Sequence, residues 1–354
     1  MSKTYAGNFF EDFRVGQTLA HGTPRTITEG DAALYVALTG SRFPLHCAAP
    51  AAHAVGFERS TVDDLLAFHV AFGKTVADVS FNAVANLGYA DVRFLKTVYP
   101  GDTLRAQSTV IGLKQNSSGL NGNVYVRSDA YNQYGDKVLT WARWVMVHKR
   151  DPAAPAPEAV VPALPAVVPA AELPVPAGLD GRQYDCALTA SPHLWEDYAP
   201  GERIDHVNGM TVDSSDHTLA TKLYQNNARL HFEEHLMASS RFGRRLMYGG
   251  HVISIVRALS FNGLANALRI AAINAGTHCN PSFAGDTFYA WTEVLERWEL
   301  PGRTDLGALR LRTVGVRNAA TEGIADARTE KDGRPVYRDE VVLDLDYTVL
   351  MPRR

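Results

Sequence analysis

Cysteine is scarce in this chain. Cys47, Cys186 and Cys279 are the only three among 354 residues, they stand far apart, and none belongs to a CxxC pair. That argues against a disulfide framework and a thiolate zinc site and suits a reducing cytoplasm. Nor is there a surplus of either charge: 35 basic residues face 38 acidic ones, a formal net charge of −3. They are spread along the chain without the basic stripe that tracks a phosphate backbone, so nucleic acid is not an expected partner. No run of about 18 apolar residues occurs. The opening segment MSKTYAGNFFEDFRVG has no apolar stretch ahead of a small-residue cleavage site, so neither export nor a membrane location is expected.

Proline and alanine, in contrast, are concentrated. Residues 151–178 read DPAAPAPEAVVPALPAVVPAAELPVPAG, a composition that favours extended polyproline II and predicts a linker. It separates residues 1–150 from 179–354, each stretch long enough to bury its own core. The two stretches also repeat each other. EDFRVGQTLAHGTPRTITEGDAALYVALTGSRFPLH (11–46) lies over EDYAPGERIDHVNGMTVDSSDHTLATKLYQNNARLH (196–231) without a gap, identical at ten of 36 positions. The echo continues through VSFNAVAN and LSFNGLAN, then PGDT and AGDT. One fold present twice is the reading.

Both copies predict the same elements. Thr28-x-x-Asp31 and Asp213-x-x-Asp216 are helix caps followed by an acid three residues on, ahead of leucines at helical spacing. A longer apolar helix follows, carrying Val62, Leu65, Leu66, His69, Phe72, Val76 and Val79 in the first copy and Val252, Ile255, Val256 and Leu259 in the second. His69 falls on its apolar stripe and is expected to be a hydrogen-bonded core histidine. Strands then close each copy: NVYVRSDAYN, a YGDK turn and VLTWARWVMVHKR; ALRLRTVGV, a KDGR turn and VVLDLDYTVLM. The expected class is α+β, a curled antiparallel sheet around one central helix per copy.

The order of cap, short helix, histidine loop, long helix, GDT turn and terminal strands resembles the MaoC-like (R)-specific enoyl-CoA hydratases of the hot-dog superfamily. LHFEEHL and YGGHVISIVRALSFNGLAN carry the likeness most clearly. It implies two tandem hot-dog repeats, a double hot-dog, with the first repeat degenerate. It also implies reversible addition of water to mesaconyl-CoA, giving β-methylmalyl-CoA, as in the ethylmalonyl-CoA pathway. The family motif D-x9-D-x4-H falls on Asp31, Ser41 and His46 in one copy and on Asp216, Asn226 and His231 in the other. Both histidines are present; the second acid is missing from both copies.

Hydrating an unsaturated thioester needs a base for water, an acid for C2 and donors for the thioester oxygen. His231 is the expected base, having an ordinary pKa near working pH; His46 is either a second catalytic group or a relic of duplication, in a loop without a nearby acid. Asn226 can hold the water but not take a proton, which leaves Glu233, or the substrate's own carboxylate, as the remaining acid. The Gly249-Gly250-His251 helix start is the expected oxyanion site, with Ser254 one turn further in; Ser41, at the acid position of the first copy, is a further substrate-binding candidate. Arg229 and Arg42 are candidates to clamp a substrate carboxylate, and Arg241, Arg244 and Arg245 to meet coenzyme A phosphates. Asp31 and Asp216 read as caps.

No metal or redox cofactor is implied; coenzyme A enters as part of the substrate. The same fold hosts hydrolysis, so an acyl-CoA thioesterase is the alternative, and a non-catalytic acyl-CoA binding protein the third reading. A cytoplasmic homo-oligomer is expected by analogy, since sheet edges of this kind pair.

Overall fold

A computed structural model describes residues 3–354. The first repeat runs β1 (Thr18–Ala20), β2 (Arg25–Thr26), α1 (Glu29–Thr39), α2 (Pro44–Cys47), α3 (Ala49–Ala54), α4 (Asp64–Thr75), then β3 (Ala83–Phe94), β4 (Thr103–Gln115), β5 (Asn121–Tyr131) and β6 (Lys137–His148). The second runs β7 (Arg203–Thr211), α5 (Ser214–Leu223), α6 (Arg229–Phe232), α7 (Glu234–Ala238), α8 (Gly249–Leu259), α9 (Phe261–Leu264), β8 (Arg269–His278), β9 (Thr287–Glu299), β10 (Leu306–Arg317), β11 (Arg328–Lys331), β12 (Arg334–Tyr337) and β13 (Val341–Pro352). The predicted caps are in place. Thr28 Oγ1 accepts the Asp31 N–H while Asp31 accepts the Thr28 N–H, and Asp216 accepts the Asp213 N–H.

The strands form one antiparallel sheet in the order β1-β4-β5-β6-β3-β8-β13-β10-β9-β7, with β2 added beside β4. Its two halves join where β3 pairs with β8, Ala90 opposite Ala275. Along β5 buried and half-exposed residues alternate throughout, the pattern of a sheet covered on one face. That face holds α4 and α8. All twelve residues of α4 are buried, so it behaves as a core helix rather than an amphipathic surface one. Leu65, Phe68 and Phe72 of α4 share a cluster with Val252, Ile255 and Val256 of α8, each side chain contributing about 1.5–3 kcal/mol on burial. The core is therefore common to both repeats, in place of the separate cores expected from chain length.

Matched hydrogen bonds confirm the duplication. Thr26 and Thr103 hydroxyls meet at 2.7 Å, as do Thr211 and Thr287. His21 contacts Ser108 at 2.7 Å, and His206 contacts Thr292 at 2.7 Å. The proline-rich stretch includes a short helical turn at Ala170–Glu172 and is tethered: Val160 bridges to Leu113 of β4, and the buried Val168 donates its N–H to Asn274 of β8. The KDGR turn closes a separate ribbon of β11 and β12 rather than joining β10 directly to β13.

Candidate active site

His231 sits on the single turn α6, and its position is fixed by the segment leading into α8. The Leu246 N–H donates to the Leu230 carbonyl at 2.9 Å, and the His231 Nδ1–H donates to the Leu246 carbonyl at 3.0 Å. That bond selects the tautomer with a bare Nε2. Arg245 braces the same turn, its guanidinium paired with Glu234 at 2.6 Å and reaching Thr218 Oγ1 at 3.2 Å. Burial pushes the imidazole down to about 4, against the opposing effect of the Leu246 bond, so it is neutral at neutral pH.

The histidine opens on a cavity of about 360 Å³ between the repeats. The second repeat contributes Asn226, Arg241, Tyr248, Gly249 and His278; the first contributes Phe72, Ser80, Asn86, Tyr89 and Arg143. No Asp or Glu is among the described residues that line it. Several polar atoms on this wall are buried without a partner: Asn226 Nδ2, both ends of Asn86, and Nε and Nη1 of Arg143. The acceptor end of Asn226 is engaged, taking the Ala228 N–H at 3.1 Å, and its donor end is directed at the Tyr248 hydroxyl. Burial, reinforced by the charge His231 carries when protonated, pushes His278 down to about 4, and its Nε2 lies 3.1 Å from the Tyr89 hydroxyl. Burial drives the Tyr248 phenol well above its ordinary range.

The structure re-sorts the residues named from sequence. Asn226, His231 and Arg241 line the cavity. Glu233 does not: it is exposed where α7 begins, turned outward by the intervening helical turn. At the start of α8 the cavity-facing glycine is Gly249, where a Cβ would lie 2.5 Å from the His278 ring; Gly250 lies behind it, where a Cβ would meet the Tyr248 ring at 2.4 Å. His251 and Ser254 are correspondingly absent from the lining. His251 Nδ1 lies 3.1 Å from the Tyr224 hydroxyl. Ser254 Oγ joins the Tyr35 hydroxyl and His69 Nε2, each at 2.9 Å, tying α1, α4 and α8 together. His69 is the bonded core histidine the sequence predicted.

Arg229 is exposed over Phe81 and Arg42 is exposed over Phe261; neither lines the cavity. Arg244 is exposed over Phe283, and Arg245 is committed to Glu234, leaving Arg241 as the cationic group of that trio on the cavity. In the first repeat Ser41 is buried with its hydroxyl unpartnered. His46 Nδ1 contacts Thr61, with Oγ1 at 3.0 Å, while Nε2 faces Asp63 Oδ2 at 3.9 Å. The expectation that this loop had no nearby acid is thus overturned: Asp63, the N-cap of α4, comes back to it.

Sequence reasoning missed Arg143, Tyr248 and His278. For Arg143 a signal was present: in VLTWARWVMVHKR the inward positions are Trp141, Arg143, Val145 and Val147, and an arginine within an apolar strand face is an anomaly that asks for a partner.

A helix wrapped by a curled sheet, doubled in one chain, with a histidine loop opening between the copies, defines a MaoC-like double hot-dog dehydratase. A solved structure described as a putative MaoC domain protein dehydratase from Chloroflexus aurantiacus superposes with a TM-score of 0.96 at 57% identity, covering 100% of both chains. Within that class the chain belongs to the mesaconyl-CoA hydratase family, whose model matches residues 2–331. It is 58% identical to a β-methylmalyl-CoA dehydratase of Chloroflexus aurantiacus, over 100% of this chain and 99% of that one. To a mesaconyl-CoA hydratase of Cereibacter sphaeroides it is 55% identical, over 99% of this chain and 100% of that one.

Proposed function

We propose that this chain catalyses the reversible hydration of mesaconyl-CoA to β-methylmalyl-CoA, with His231 of the second repeat as the proton-transferring group. Full-length similarity to relatives of that activity supports the reaction. The observation that carries the assignment of the base is His231 itself, a cavity-lining histidine whose Nδ1 is held by Leu246, which leaves Nε2 as the nitrogen available to a substrate.

In mesaconyl-CoA the double bond joins C2, which bears a methyl group and the thioester, to C3, which bears a free carboxylate. Water attacks C3 because conjugation to the thioester makes that carbon electrophilic. His231 Nε2 takes a proton from the attacking water, the C3–O bond forms, and the π electrons move onto the thioester as an enolate. The imidazolium then returns a proton to C2. One O–H bond is broken, one C–O and one C–H bond are made, and no electrons leave the system, so no redox cofactor is needed. The N-terminus of α8, with Gly249 on the cavity wall, supports stabilisation of the enolate oxygen. The Asn226 amide N–H supports orientation of water or thioester.

Arg241 on the cavity and the exposed Arg244 support an approach for the coenzyme A moiety. Three unpaired thiols suit a cytoplasmic location, although the structural observation itself is narrower: no helix among the described residues is long and apolar enough to cross a membrane. The open sheet edges at β1 and β7 favour a homo-oligomer.

The test is to mix the purified protein with mesaconyl-CoA while following conjugated-thioester absorbance and free thiol together. Loss of conjugation without thiol release is expected. Thiol release would move the protein to the hydrolases, and silence in both channels would leave a binding protein.

A further inference from the structure

We infer that Arg143, supplied by the first repeat, selects the substrate by binding its free carboxylate, which restricts the site to enoyl thioesters with an acid on the carbon that water attacks. This rests on the hydratase reading and deepens it.

Arg143 is 1% exposed on the inner face of β6. Its Nη2 donates to Thr75 Oγ1 at 2.8 Å and Ser80 Oγ at 3.4 Å, and its Cζ lies 4.2 Å from the centroid of the Phe72 ring. Those contacts fix the group without neutralising it. Nε and Nη1 are buried without a protein partner, and Arg143 belongs to a cavity wall on which no Asp or Glu stands among the described residues. Of the other buried arginines, Arg269 is paired with Asp64 at 2.5 Å, and Arg257 has its guanidinium nitrogens bonded to Ser260 Oγ and the Ala267 carbonyl; Arg143 differs from both in leaving two nitrogens without a partner. Burial lowers the guanidinium only to about 10, so it keeps its charge at neutral pH. A desolvated cation on a cavity wall without an anion is costly unless a ligand supplies one.

The second observation is Asn86, whose two side-chain polar atoms are unpartnered on the same cavity. The third is Asn226, standing where the hydratase motif has an acid: a carboxylate there would repel an anionic substrate, and an amide does not. The charge missing from the protein's motif is carried by the substrate, and Arg143 answers it from the other repeat.

The test compares mesaconyl-CoA with tiglyl-CoA, the same thioester with methyl in place of carboxylate. Wild type is expected to favour mesaconyl-CoA by at least about 100-fold in kcat/KM. Arg143→Met should lower mesaconyl-CoA turnover by about 100-fold while leaving tiglyl-CoA within roughly threefold, and Arg143→Lys should recover part of the loss. Equal losses on both substrates, or none on either, would overturn the proposal. Because tiglyl-CoA is a slow substrate by this account, binding of the unreactive methylsuccinyl-CoA and 2-methylbutyryl-CoA is measured alongside by calorimetry. Wild type should bind the acid more tightly, and Arg143→Met should abolish the difference; a difference that survives the substitution counts against the proposal. Discrimination through Arg143 without hydration of mesaconyl-CoA would defeat the hydratase reading and leave the carboxylate site standing. Hydration without discrimination would do the reverse.

Discussion

The two histidine loops share a backbone and differ in what faces the imidazole. In both, Nδ1 is held from the segment ahead of the central helix, at Thr61 in one and Leu246 in the other, each 15 residues after its histidine. The residue just before the helix is Asp63 in the first repeat and Tyr248 in the second. Asp63 lies across Nε2 of His46 at 3.9 Å, whereas His231 lines a cavity shared with Arg143 and Asn226 and free of Asp and Glu among the described residues. One position at the start of the central helix thus separates a histidine facing a protein carboxylate from one free to face a substrate. The first repeat still builds part of the cavity, because β3, β6 and the end of α4 form its opposite wall.

This comparison is most sharply tested by removing each histidine in turn. His231→Ala should cut kcat on mesaconyl-CoA by about 1000-fold, and His46→Ala by less than roughly threefold, the former being the scale of a lost general base. Next in size is Tyr248→Asp, which copies the first repeat into the second. It gives α8 an acidic cap but sets a carboxylate beside Arg143 and against the incoming substrate anion; kcat/KM should fall about 100-fold, chiefly through KM. The smallest effect on catalysis is expected where the repeats touch. Ser254→Ala strands His69 Nε2 in the core and removes one partner of the Tyr35 hydroxyl, costing about 2 kcal/mol and lowering Tm by roughly 3 °C. Since Ser254 does not reach the cavity, kcat should stay within roughly twofold of wild type, far from the loss expected at a transition-state donor; a larger loss would mean the network positions the site.

Features governed by local chemistry were legible in the sequence. The Asp31 and Asp216 caps, the repeat register and the alternating strands follow from near neighbours. What depended on distant contacts was not. The shared core follows from β3 meeting β8, a pairing that no local pattern encodes. Glu233 is close to His231 in sequence and far from its chemistry, because a single helical turn redirects the chain. Helical periodicity could not sort α8, since from Gly250 to Leu259 every residue is buried and no exposed face marks the inside; Ser254 and His251 were misplaced for that reason. Asp63 carries no signal of this kind in the sequence: one oxygen caps α4 through the Leu65 N–H, while the other faces His46 across the fold.

The hydrogen bond from His231 to Leu246 predicts a neutral imidazole with its proton on Nδ1 and a bare Nε2 left for the substrate. Nitrogen-15 NMR of labelled histidine, assigned by comparison with His231→Ala, tests it directly. Because burial disfavours the charged form, the ring must be driven to low pH before it protonates: the predicted result is the Nδ1–H tautomer from pH 8 down to about pH 5, titrating near 4. An Nε2–H tautomer, or an imidazolium at neutral pH, would leave no base facing the cavity and would contradict the account.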